Sequence, residues 1–363
     1  MDAERKNLCV YPYGEDFAAV LRQGRLLRPH IEVSRLVSPA GWGLVGESIP
    51  FCRDGAVKNL TVTSSLGPDL EGSTVFVPPF PDITGLEEKI VDNIIGQASQ
   101  ISSVILSAKL HPESLQRLAQ VCAVEDLNTA GPDEMAMLDP EARALREIGT
   151  PVIAVCGLWE SMDKFEVSLI LRQKFLDAGY AVSQIGSRNY SEMFGFHSFP
   201  RFMFDPSLGE TAKVFMFNQY IQRIEEQEAP DVIIMGIPGE THSFSDKVPG
   251  RFGILPFIAS KAVLIDCLLY CTCYNLIDSE FLETVSQSCF YRLGCEIDAF
   301  HVSGAMMDLE QTRMKGDWCA TALPQEKVNL ALRESAASAR IFNALWEEDA
   351  DRLFEKLIET LAN

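Results

Sequence analysis

The sequence predicts a two-domain α/β protein, on three observations. Short apolar runs alternate with amphipathic stretches along most of the chain, the pattern of parallel sheets covered by helices. A polar stretch containing prolines interrupts that pattern. With 363 residues, 47% of them apolar, the chain exceeds what one core usually organises and suffices for two.

In the first half, residues 7–13 read as a strand ending at Gly14, residues 15–23 as a helix, and residues 31–37 as a returning strand. A short β-rich run, TVFV, is stopped by Pro78 and Pro79. Ile90, Val91, Ile94 and Ile95 recur at helical spacing, residues 101–110 form a continuous apolar run, and Pro112 stands just inside another helix. The expectation is a Rossmann-like domain over residues 1–135. No GxGxxG follows its first strand; Tyr11-Pro12-Tyr13-Gly14-Glu15 stands there instead, so a structural or partner-docking role is expected.

Residues 136–150 read as a linker with a charged helical run at 141–147, and residues 151–363 as the second domain. That domain opens with a strand at 152–156, a loop, a helix at 165–178 stopped by Gly179, and a strand at 180–185. Its carboxyl end, residues 325–361, carries Ile341, Leu345, Leu353, Leu357 and Ile358 at helical intervals and reads as mostly long helix, a packing face for the sheet or for a second subunit.

The loop between the first strand and helix of this domain carries the functional expectation. Gly157-Leu-Trp-Glu-Ser161-Met-Asp163-Lys164-Phe165 sits where backbone N–H groups, the helix N-terminus and a lysine converge on a phosphate. The regular GxxxxGK[ST] pattern is not met. The glycine-to-lysine spacing resembles the variant loops of the dethiobiotin-synthetase and cobyrinate-amidase branch of P-loop proteins, with Lys164 the matching lysine; the resemblance implies a P-loop NTPase-like parallel-sheet domain with carboxyl-terminal helices over residues 151–363. Asp163 replaces the glycine before the lysine, and Phe165 replaces the Ser or Thr whose hydroxyl would bind Mg²⁺. Downstream, the run DVIIMGIPG resembles the EGAGG-type segment of the same branch, with Met235 where the acid stands and Gly236 and Gly239 in the turn. Both metal contacts are absent together, so Mg²⁺-dependent hydrolysis is not expected, whereas binding of a nucleotide such as ATP, or of another phosphorylated ligand, does not need the ion. Replacement ligands would have to come from Asp163, Glu160, Glu240 or Asp246.

Arg188 ends the second strand, where ligands of doubly wound sheets bind, and reads either as a phosphate clamp or as a surface charge. Arg251 lies in a turn that points to the same cleft. The aromatic run around His197 (Phe194, Phe196, Phe199, Phe202, Phe204) reads as an apolar lid or peptide-binding wall near the loop, or as a segment closing the core. Glu240, His242 and Asp246 fall within seven residues, either a metal site or a polar loop. Cys267, Cys271 and Cys273 fit no metal spacing and would share one face of a buried strand, and His301 reads as structural.

A formal charge of −20 excludes duplex nucleic acid and anionic membrane surfaces as partners and suits a basic one. The absence of a signal-peptide pattern and of any long apolar run predicts the cytoplasm. The segments GLWESMDKFEVSL, GYAVSQIGSRNY, EMFGFHSFPRFM and GIPG…GRFGILPF resemble a clostridial family of peptide maturation system proteins. That resemblance implies an accessory role in maturing a ribosomally made, bacteriocin-like peptide, with a Cys-rich precursor peptide or a radical-SAM maturase as partner. A ligand-free pseudo-NTPase scaffold and an ATP-dependent carboxylate-activating ligase are the alternatives.

Overall fold

The computed structural model describes residues 6–53, 56–67, 70–129, 138–160, 162–243, 253–315, 319–334 and 340–362. The chain divides into two compact units, Met1–Ala130 with Glu192–Gly195, and Gly131–Ser191 with Phe196–Asn363. Both are α/β units, each built on a seven-stranded sheet among the described residues.

The first unit runs β1 (Lys6–Val10), α1 (Ala18–Arg22), β2 (Ile31–Val37), β3 (Ser48–Arg53), β4 (Ala56–Thr63), β5 (Ser73–Val77), α2 (Leu86–Ile95), β6 (Ile101–Leu106), α3 (Pro112–Ala119) and β7 (Val124–Asp126). The strand order is β3-β4-β2-β1-β5-β6-β7. All neighbours are parallel except the β3–β4 hairpin, whose half-exposed strands carry no apolar run and gave no signal in the sequence. Setting β3 aside, this is the Rossmann order, with β1 and β5 flanking the switch point. At that point stand Tyr11 and Tyr13, both buried, the Tyr11 hydroxyl accepting a 2.7 Å bond from Asn93.

In the second unit β8 (Val152–Gly157) leads into α4 (Lys164–Asp177), then β9 (Val182–Gly186), β10 (His197–Ser198), α5 (Glu210–Glu228), β11 (Val232–Gly236), α6 (Ile254–Ala262), β12 (Cys267–Cys273), α7 (Ser279–Leu293), β13 (Ala299–Ser303), β14 (Ala305–Met307), α8 (Leu309–Lys315), β15 (Ala320–Ala322), α9 (Gln325–Glu334), β16 (Ile341–Phe342) and α10 (Glu347–Leu361). The large sheet is ordered β10-β9-β11-β8-β12-β13-β16 and is parallel throughout. Strands β8, β11 and β12 are buried along their whole length, which is why they read as unbroken apolar runs. Residues of α5, α6, α7 and α9 pack one face, among them Phe217, Ile258 and Val285. Residues of α4 and α10 pack the other, among them Leu171, Phe175, Leu353 and Leu357.

Two local expectations are corrected and one open alternative is decided. The run at 141–147 is not helical: Arg146 N and Gly149 N donate to side chains of α5 (Asn218 Oδ1 at 2.8 Å, Glu225 Oε1 at 2.8 Å), and this strapping replaces intrahelical bonds. The carboxyl end is not one long helix, because Ile341 and Phe342 form β16 against β13 between α9 and α10. Its two residues are too few to break a helical pattern visibly. The aromatic run around His197 closes the core rather than forming a lid: Phe199, Phe202 and Met203 lie in the cluster beneath α5. His197 itself meets Glu228 of α5 at 2.6 Å. Among the described residues no helix is long and apolar enough to cross a membrane.

Candidate functional site

The site lies at the carboxyl end of β8, where the sheet's middle strand turns into α4. Apolar residues 152–156 bury the strand, and Gly157 ends it. Glycine lets the lysine approach closely there: a Cβ would lie 2.8 Å from Cδ of Lys164 and 3.2 Å from the Trp159 carbonyl oxygen, so the lysine stem would have to shift. The lysine stem crosses directly over the strand end. Lys164 is the first residue of α4, only 6% exposed, and its ammonium donates to the carbonyl oxygen of Gly239. Burial pulls its pKa below the ordinary lysine value, opposed by Cys156, Cys271 and Glu160 and reinforced by the positive charge of Arg188. Two cations thus stand near one another at the helix N-terminus, itself of positive potential.

Asp163, directly before the helix, has φ +56° and ψ 6°. This left-handed conformation is the one a glycine supplies without cost, and Asp is among the few other residues that adopt it. Its carboxylate meets His301 of β13, Oδ2 to Nε2 at 3.4 Å. His301 is fully buried, and its Nδ1 accepts the backbone N–H of Ala344 at 3.0 Å. That acceptance fixes the tautomer: Nε2 carries the proton and donates toward Asp163. The carboxylate that the sequence sets in the loop therefore has a partner across the sheet.

A second set of contacts fixes the loop from the β11 side. The backbone N–H and the hydroxyl of Thr241 both donate to the carbonyl of Gly157, at 3.1 and 3.0 Å. The Thr241 hydroxyl proton is thereby used, so its oxygen accepts from Tyr270 OH at 2.5 Å. His242 Nδ1 lies 2.9 Å from the Thr241 oxygen and 3.1 Å from the Tyr270 oxygen, both now acceptors, and so bears the proton. Nε2 is left to accept from Ser288 Oγ at 2.7 Å. Burial and the neighbouring Arg292 push the His242 pKa down to about 4, so the ring is neutral at pH 7. Arg292 in turn donates to the Thr241 carbonyl at 2.7 Å.

Gly157, Asp163, Lys164 and Gly239 thus come together, with Arg188 near enough to act on Lys164. Phe165 is also at the helix start, but 6% exposed and packed edge-on against Tyr190 at 5.6 Å, a packing role in place of a ligand contact. Gly236 serves a close crossing: a Cβ there would lie 3.2 Å from Ser168 Oγ and 3.3 Å from Ser187 N. Met235 is fully buried in the core. Ser161, Asp246 and Arg251 lie outside the described residues. Among the described residues no group of three His, Cys, Asp or Glu side chains is arranged to hold a metal ion. Cys267, Cys271 and Cys273 share one packed face of β12, with thiol pKa values raised by burial. The sequence reading missed the contributions of His301, Thr241 and Tyr270, which act on the loop from β13, from the turn after β11 and from β12. Only the glycine-rich turn before Thr241 offered a signal.

No family model matches the chain, and no curated protein matches it. Among solved structures the chain is similar to a DUF1611 family protein from Anabaena variabilis ATCC 29413, whose crystal structure was determined at 2.30 Å resolution. The two are 12% identical, the match covers 98% of this chain and 100% of that one, and the TM-score is 0.63. At that identity the likeness shows a shared fold over essentially the whole chain.

Proposed function

We propose that the second unit binds a phosphorylated ligand, a nucleotide such as ATP, in the loop at residues 157–164. The observation that carries this reading is the buried Lys164 ammonium laid over Gly157 at the start of a fourteen-residue helix. Burying a cation is costly unless an anion compensates it, and here the bonded partner is a neutral carbonyl oxygen. A phosphate would supply that anion, with the backbone N–H groups of the helix start and the Arg188 guanidinium as further donors. The adjacency of β8 and β11, which brings the Gly239 turn beside the loop, suits the same reading.

The residues present do not fit the magnesium ligands of a working P-loop NTPase. Phe165 is packed against Tyr190 and Met235 lies in the core, so neither a hydroxyl nor a carboxylate stands at the two usual contacts. Binding without hydrolysis is the consequent activity. The cellular role rests on the segment resemblance alone: an accessory protein of bacteriocin-like peptide maturation, acting in the cytoplasm with a precursor peptide or a radical-SAM maturase.

Calorimetric titration of the full chain with ATP, ADP and GTP, with and without Mg²⁺, tests the binding reading. Saturable binding that is independent of Mg²⁺ and lost in a folded Lys164→Ala variant is expected. No heat of binding under any of these conditions would overturn the binding reading and leave a ligand-free scaffold as the better account.

A further inference from the structure

Helix α7 presents a second face besides the one packed in the core. Its core stripe is Leu282, Val285, Cys289 and Leu293, all buried. The adjacent stripe, residues 279, 282, 283, 286, 287, 290 and 291, follows helical spacing and lines a groove of about 820 Å³ together with the starts of β13 and β16. Leu282, Ile297 and Phe300 close the base of the groove and are themselves buried, only 8%, 1% and 2% exposed. Phe290 and Tyr291, 48% and 82% exposed, stand at one end with rings 5.5 Å apart. Adjacent exposed aromatics of this kind, set on a groove, are the composition of binding surfaces rather than of solvated ones.

The charges around the groove decide what fits. Asp278, Glu283 and Glu296 contribute three carboxylates. Asp278 is used in part, capping α7 by accepting the Phe281 N–H at 2.9 Å. Glu283 and Glu296 have no hydrogen bond or ion pair among the described residues. Arg340, the one cation in the lining among the described residues, already donates to the Ile297 carbonyl at 3.2 Å. A second copy of this chain would bring another formal charge of −20 toward these carboxylates, and an anionic membrane or nucleic acid would be repelled likewise. A segment carrying Lys or Arg beside apolar side chains satisfies both components: the carboxylates take the cations, and the exposed rings of Phe290 and Tyr291 take the apolar groups and offer their faces to an ammonium or guanidinium.

We propose that this groove docks a basic, amphipathic polypeptide segment of a partner protein. The proposal stands on observations separate from the phosphate loop, and neither depends on the other. The test is fluorescence anisotropy of the full chain, without nucleotide, with a fluorescein-labelled synthetic peptide of alternating lysine and leucine. Saturable binding is expected, about tenfold weaker for a lysine–serine peptide of equal charge, and about tenfold weaker again for the Tyr291→Ala variant or the Glu283→Lys, Glu296→Lys pair. A charge-matched pair on the first unit, Glu71→Lys with Glu113→Lys, is expected to bind as the wild type does. Equal weakening by both pairs would reduce the effect to net charge and overturn the proposal. So would equal affinity for the serine peptide, or an absence of saturable binding. Circular dichroism of each variant separates lost docking from lost fold, and Tyr291, being exposed, is the substitution least able to disturb it.

Discussion

At the residue scale, the chemistry turns on Asp163. Its backbone holds the left-handed turn that starts α4, and its carboxylate is positioned by the Nε2 proton of His301. The charge opposes an anionic ligand while the hydrogen bond supports the turn, and the two contributions are separable. Asn tolerates the same backbone region and keeps an oxygen for His301. Asp163→Asn is therefore expected to raise nucleotide affinity about tenfold, equivalent to about 1.4 kcal/mol, while stability changes by less than ~1 kcal/mol. Titration calorimetry and urea unfolding of the same preparations check the two halves, and unchanged or weaker nucleotide binding would remove the carboxylate from the account. The departure at 163 was legible in the sequence, but its compensation was not. His301 lies 138 positions away, and only the strand order of the folded sheet makes the two neighbours.

At the scale of elements, the turn after β11 is a brace for the strand end of β8, held by Thr241 and, behind it, by Tyr270 of β12 and Ser288 of α7 through His242. That brace has a pH signature. His242 is depressed to about 4 in the fold against 6.5 when free, so between those values the unfolded chain binds a proton that the folded chain does not. Stability from this group is complete above pH 6.5 and is lost as pH falls toward 4. The loss is expected to reach about 3 kcal/mol beyond that of a His242→Gln variant, in which no proton is gained. Urea unfolding of both proteins at pH 7 and pH 4 measures it, and parallel loss in both would show that His242 is not the titrating group. Elements of this kind were read unevenly from the sequence. The β8–α4 unit was visible because a buried strand and a helix packed on it leave long, uniform signals. The β3–β4 hairpin and β16 were not, because half-exposed or two-residue strands carry little apolar pattern.

At the scale of the whole molecule, each unit carries its own sheet and its own apolar clusters. The first unit's core joins Val75, Val91 and Val104 among others, and the second's two clusters lie on the faces of the sheet that contains β8. Every residue proposed to hold phosphate belongs to the second unit, including the braces from β12, β13 and α7. A ligand stabilises what it binds by RT ln(1 + [L]/Kd), about 2.7 kcal/mol at a hundredfold excess over Kd. For a unit of this size that corresponds to roughly 5–10 °C in melting temperature. Differential scanning calorimetry is therefore expected to show two transitions, with saturating ATP raising one and leaving the other in place. The raised transition should return to its unliganded position in Lys164→Ala. A single transition that ATP moves would show that the units unfold as one while leaving the phosphate site standing. If ATP moves neither, the lysine is a buried structural cation held by Gly239, and the fold has kept the geometry of a phosphate loop without its ligand.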